Sequence, residues 1–81
     1  MKVYEKYYEK AKAYLIKFDN ITEPHIVDIV TSVLMTRDGV GYPGGSFVTA
    51  VVENDLYGAI SRADATCVRY LPAIVSAKMW A

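Results

Sequence analysis

The chain has 81 residues, 53% of them hydrophobic, with nine basic and nine acidic side chains that cancel, and a single cysteine. That length predicts one helical domain over residues 1–81, built on a thin core. The zero charge balance argues against a general nucleic-acid binder. The lone Cys67 rules out an internal disulfide and predicts a reducing, cytoplasmic setting, and no apolar run reaches the roughly 18 residues of a membrane span.

The first element is predicted from about Lys2 to Phe18. Val3, Tyr4, Tyr7, Tyr8, Ala11, Tyr14, Leu15 and Phe18 recur at steps of three and four, which is a helical stripe. The N-terminus carries charge from Lys2 to Lys12 and has no apolar core of a signal peptide. Asp19 and Asn20 close the helix. Thr22 is then the expected N-cap of a second helix, with Glu23 and Pro24 in its first turn. Ile26, Val27, Ile29, Val30, Val33 and Leu34 follow at helical spacing. The run is β-branched, so a strand competes, but the length and the start signal favour a helix. Gly39 is the expected stop.

Gly39–Gly45 reads GVGYPGG, the clearest loop signal in the chain. Ser46 is expected to cap a third helix over about Phe47–Ala63, in which Asn54, Asp55 and Gly58 interrupt the pattern. Asp64 is the next N-cap, opening a fourth helix to about Trp80. Val68, Leu71, Val75 and Met79 would form its inner stripe, and Pro72 should kink or split it. Trp80 is expected to dock on the core or on a second copy. The fold class is therefore all-α, a small bundle of three to four helices, and the apolar and aromatic excess (seven Tyr, two Phe, one Trp) predicts a homo-oligomer.

No catalytic set emerges, and the chain reads as a non-enzyme without a cofactor. His25 is the only histidine and has no ligand spacing of a known kind around it, so no metal site is predicted. Cys67 sits among apolar neighbours and reads as buried. Gly39–Ser46 follows the phosphate-loop spacing GxxxxGK[ST], except that Gly45 stands where the lysine belongs and a helix rather than a strand precedes it. What survives is a glycine turn leading into a helix start, with free N–H groups that suit an anion. The turn is expected to draw on the positive φ that glycine permits at Gly45.

Pro43-Gly-Gly-Ser-Phe-Val-Thr-Ala-Val-Val-Glu-Asn-Asp-Leu, followed by Ala59 and Arg62-Ala-Asp64, resembles a family of small uncharacterised tailed-bacteriophage proteins with PGG-F, TAV, NDL and RAD motifs. The resemblance covers about the last half of the chain. Ser46 interrupts the Gly-Gly-Phe step, Val52 stands for Leu, and the family's Trp-Gly-Ser-Pro-like tail is absent. The resemblance implies a viral source, and so the host cytoplasm as the setting, more than a mechanism; a counter-defence role is added by analogy.

Two readings follow. In the first, the protein sequesters a small anionic nucleotide of the cyclic class. Gly44, Gly45 and Ser46 would hold phosphate, Arg62 or Arg69 would add a charge-assisted contact, and Tyr42 would stack on a base. In the second, it inhibits a host defence complex by protein binding, through its tyrosine-rich first helix and the acidic residues Glu53, Asp55 and Asp64. A helix-turn-helix DNA binder ranks below both, because the chain has three arginines and no net charge.

Overall fold

The structure, a computed structural model, describes residues 3–41 and 44–81. Six helices are present among the described residues and no strand: α1 Val3–Asp19, α2 Pro24–Asp38, α3 Ser46–Val52, α4 Leu56–Arg62, α5 Ala65–Arg69 and α6 Leu71–Trp80. The all-helical expectation holds, but the count is higher because the two helices expected last are each divided in two. No helix among the described residues is long and apolar enough to cross a membrane.

The helix stops explain the layout. Asn20, Gly39 and Asn54 all take left-handed backbone, with φ of 52°, 68° and 63°. At Asn20 the next residue's N–H reaches back six positions, from Ile21 to Leu15 O, and at Gly39 and Asn54 it reaches back five, from Val40 to Met35 O and from Asp55 to Ala50 O. This is the Schellman closure, which satisfies the last carbonyls of a helix and turns the chain away. At Asn54 it ends α3 after seven residues, where the spacing had predicted a helix continuing to Ala63. The Asp55 carboxylate then accepts from Gly58 N at 2.9 Å and starts α4. The division of the last helix is as expected: it breaks at Tyr70, and Pro72 falls in the first turn of α6, where its missing N–H costs nothing.

Two helix starts differ in detail from the expectation and a third agrees with it. Glu23, not Thr22, is the N-cap of α2, and it makes no side-chain cap bond. Ser46 is the first residue of α3, and Gly45 before it is the cap. Asp64 does cap α5, its Oδ1 accepting from Cys67 N at 2.7 Å.

α2 is the central helix, packed against α1, α3 and α6. Its predicted stripe is the heart of the core: Ile26, Val27, Val30, Val33 and Leu34 are all buried. Thr31, also buried, returns its hydroxyl to Val27 O at 2.7 Å and so leaves no polar atom unpaired. α1 buries Ala11 and Leu15 against it and half-buries Tyr7, Tyr8 and Tyr14. The hydroxyls of three tyrosines act as clamps. Tyr4 donates to Asp28 and Tyr7 to Asp38, both on α2, and Tyr14 donates to Ala73 O on α6. The tyrosine-rich helix is thus largely accounted for within the bundle.

The last helices correct the predicted stripe. Val68 and Met79 are exposed, and the buried residues are Cys67, Ala73, Ile74 and Ala77. The pause at Tyr70 resets the phase between α5 and α6, so a stripe drawn through it joins two faces. Trp80 is 76% exposed and does not dock on this chain's own core.

Gly44 and Gly45 differ sharply. A Cβ on Gly44 would sit against Val48 and within 2.6 Å of Ser32 Oγ, whereas one on Gly45 meets nothing within 4 Å. Gly44→Ala is therefore expected to cost about 1–3 kcal/mol by overpacking, and Gly45→Ala to be near neutral. Urea denaturation of the two variants checks this, and equal midpoints would contradict it.

Candidate functional site

The predicted anion turn lies at the start of α3. Gly44, Gly45 and Ser46 line a cleft of about 320 Å³ together with Thr49, Ala50, Glu53, Asp55 and Arg62. Folding α4 back beside α3 is what brings Arg62 to the turn, from sixteen positions further along the chain. Arg69 ends α5, is exposed and does not line this cleft. Tyr42 lies outside the described residues.

The local chemistry is less favourable to an anion than the spacing suggests. Gly44 N–H is already given to Thr36 Oγ1 at 2.9 Å, and Gly44 O accepts from Thr49 Oγ1 at 3.2 Å. Gly45 has φ −67° and ψ −173°, so it is extended and needs no positive φ, against expectation. α3 is only seven residues long, which limits the dipole it can aim at a ligand. Arg62 Nη1 donates to Gly58 O at 3.3 Å, and the Glu53 and Asp55 carboxylates share the cleft. Two acids against one arginine repel a polyanion.

A second concavity, about 260 Å³ and mainly apolar, runs between α3, α4 and α6 and is lined by Ala50, Val51, Asn54, Leu56, Ala59 and Val75. Leu56 is 55% exposed, and on the same short helix Tyr57 is 86% and Ile60 50% exposed. Glu53 and Asp55, in the turn before α4, are exposed beside it. By helical spacing Ile60 shares one face with Val48, Val52 and Ala59, and Leu56 lies alongside it. The restart of α4 at Asp55 turns them outward, leaving Gly58 and Ala59 as the buried residues.

The third grouping was not legible in the sequence. His25, in the first turn of α2, places Nε2 3.1 Å from Asp64 Oδ2 and 4.0 Å from Cys67 Sγ, across 39 and 42 residues of chain. The bond from Cys67 N–H holds the Asp64 carboxyl below its ordinary value, helped by the Cys67 side chain and His25. Burial, followed by the nearby Asp64 carboxylate, pushes the Cys67 thiol up to about 11. A thiol in that state is not a nucleophile near neutral pH. Sulfur and carboxylate also meet the same imidazole nitrogen, whereas a nucleophile–base–acid relay uses opposite ring nitrogens.

Comparison of the chain with protein-family models, with curated proteins and with solved structures returns no match.

Proposed function

We propose that this chain is a non-enzymatic binding protein whose partner is another protein, seated in the groove between α3, α4 and α6. The observation that carries the reading is the apolar groove continuing into Leu56, Tyr57 and Ile60, held out in water by a two-turn helix. Exposing these side chains costs a small domain solubility, and contiguous apolar surface of this kind marks interaction sites. Tyr57 is of the residue type that dominates binding energy at interface centres. Glu53 and Asp55 beside the groove favour a partner segment that is apolar with basic flanks. This keeps Glu53 and Asp55 of the inhibitor reading, leaves out Asp64, and moves the apolar part from α1 to α4, since three of the four α1 tyrosines give their hydroxyls to α2 and α6. The phage-like segment from Pro43 to Asp64 supports a host defence protein as the partner. Trp80 and Met79, 76% and 70% exposed, support the expected self-association.

The test combines capture with groove variants. Wild type is expected to retain a host protein from lysate, and Leu56→Glu and Glu53→Lys to lose that same protein while far-ultraviolet circular dichroism stays unchanged. Light scattering of the same samples reads self-association as a mass above 9.0 kDa. A Leu56→Glu variant that captures the same protein as wild type would sink the reading.

A second reading rests on one observation, the arrival of Arg62 in the cleft of Gly44, Gly45 and Ser46. A nucleotide suits that cleft only if its base offers N–H donors to Glu53 or Asp55 while its phosphate faces Ser46 and Arg62. Calorimetric titration with cyclic nucleotides decides it, with Arg62→Ala expected to abolish any heat that wild type shows.

A further inference from the structure

Two helix starts meet at one point in this fold. His25 lies in the first turn of α2, Asp64 caps α5, and Cys67 is in the first turn of α5. A ring nitrogen of His25, a carboxylate oxygen of Asp64 and Cys67 Sγ all lie within 4.8 Å of one another. Tetrahedral Zn²⁺, with bonds of 2.0–2.3 Å to nitrogen, oxygen and sulfur, sets its ligand atoms about 3.3–3.5 Å apart. The observed 3.1 Å between nitrogen and oxygen and 4.0 Å between nitrogen and sulfur bracket that spacing.

A plain reading of the cluster is a capping carboxylate that also meets an exposed histidine. That reading accounts for Asp64, His25 and the thiol's hydrogen bond to Asp64, but not for the convergence of all three on His25 Nε2. One nitrogen carries at most one proton and serves one hydrogen bond well. Three donors of different elements converging on one point is a coordination pattern. The carboxylate is also fixed in place, because its other oxygen, Oδ1, accepts from Cys67 N at 2.7 Å and leaves Oδ2 facing the histidine. Hydrogen bonds of this kind orient metal ligands.

We propose that His25, Asp64 and Cys67 form a three-ligand site for a borderline-soft divalent cation, with Zn²⁺ as the natural occupant. A nitrogen, an oxygen and a sulfur donor together select Zn²⁺ over the oxygen-seeking Mg²⁺ and Ca²⁺. The His25 and Asp64 side chains are 47% and 57% exposed, so the fourth position faces solvent and takes water or a donor from a partner. Cys67 enters as thiolate, and its proton leaves to solvent as the sulfur–metal bond forms. The bound ion would fasten α5 to the start of α2. The site is independent of the groove, and either can fail without the other.

The test uses the full chain, reduced and without a histidine tag, with Co²⁺ as the spectroscopic probe and Zn²⁺ in competition with a chromogenic chelator. One equivalent of Co²⁺ is expected to give a thiolate-to-cobalt charge-transfer band that Zn²⁺ abolishes, and Cys67→Ala to lack that band. His25→Gln and Asp64→Asn are expected to weaken Zn²⁺ binding by at least about tenfold. Both positions are exposed, and Asn still caps a helix, so these variants keep the fold. No charge-transfer band in the wild type, or Zn²⁺ affinities in His25→Gln and Asp64→Asn equal to wild type, would overturn the proposal.

Discussion

Replacing Ile74 by Ala is expected to cost about 2–5 kcal/mol, the range for deleting a fully buried branched side chain. Ile74 has no exposed surface, and its helix touches α1, α2, α3 and α5. A cavity there is shared by most of the bundle and cannot collapse by moving one element. A domain of this length has only about 4–12 kcal/mol in total, so the variant sits at or near the unfolding threshold. Ile74→Val removes one methylene and should cost about 0.5–1.5 kcal/mol. Met79→Ala, on the same helix but 70% exposed, should stay within about 0.5 kcal/mol of wild type. Urea midpoints for the three variants test the phase of α6 directly. The inner stripe drawn from sequence through Val68, Leu71, Val75 and Met79 predicts the opposite order for Ile74 and Met79.

Why the sequence misplaced that stripe is a matter of information content. α2 sets polar His25, Asp28 and Ser32 between its apolar positions, so its buried face could be read off down to Val33 and Leu34, apart from the buried Thr31. α6 is apolar on nearly every side, and periodicity carries no phase when there is no polar face to set it. The division of the third helix was legible in principle. Asn54 takes the same left-handed stop as Asn20 and Gly39, and an Asn followed by Asp reads as a stop and a cap. The apolar spacing runs on past it, so the pattern alone reads as an interruption of one helix. In the cleft, Gly44 to Ser46 and Arg62 were named from sequence and do come together. Arg69 does not, and the carboxylates that change the cleft's charge, Glu53 and Asp55, were assigned elsewhere. The His25–Asp64–Cys67 cluster left no signal in sequence. Its members lie on helix starts about forty residues apart, and only the packing of the bundle joins them.

Arg37 is the side chain whose loss should be felt furthest from its own position. It sits in the last turn of α2, with its side chain 23% exposed. Nε and Nη2 donate to the two oxygens of Asp38 at 2.7 and 3.2 Å, and Nη1 donates to Lys78 O and Ala81 O at 3.1 and 2.9 Å. The guanidinium therefore satisfies carbonyls at the end of α6 from a neighbouring helix, where a positive charge also suits the dipole. Tyr7 on α1 donates to the same Asp38 at 2.7 Å, so one ion pair ties α1, α2 and α6 together. Charged hydrogen bonds contribute about 1.5–3 kcal/mol, and partial exposure places Arg37→Ala near about 2 kcal/mol. Arg37→Lys keeps the charge but not the planar fork, and should recover less than half of the loss. Acid provides an internal check. Arg37 first, then Tyr7, hold Asp38 down from its ordinary 3.8 to about 2. A carboxyl depressed in the folded state stabilises above its unfolded value and loses that contribution as pH falls through the folded one. Solvent screening at this partly exposed site reduces the contribution to about 1 kcal/mol. The stability gap between wild type and Arg37→Ala should thus be widest above about pH 4 and narrow as pH drops toward about 2. Denaturant midpoints of both proteins across that window measure it. A gap that stays constant would mean that Arg37 acts through the α6 carbonyls alone and that its pairing with Asp38 contributes nothing to the fold.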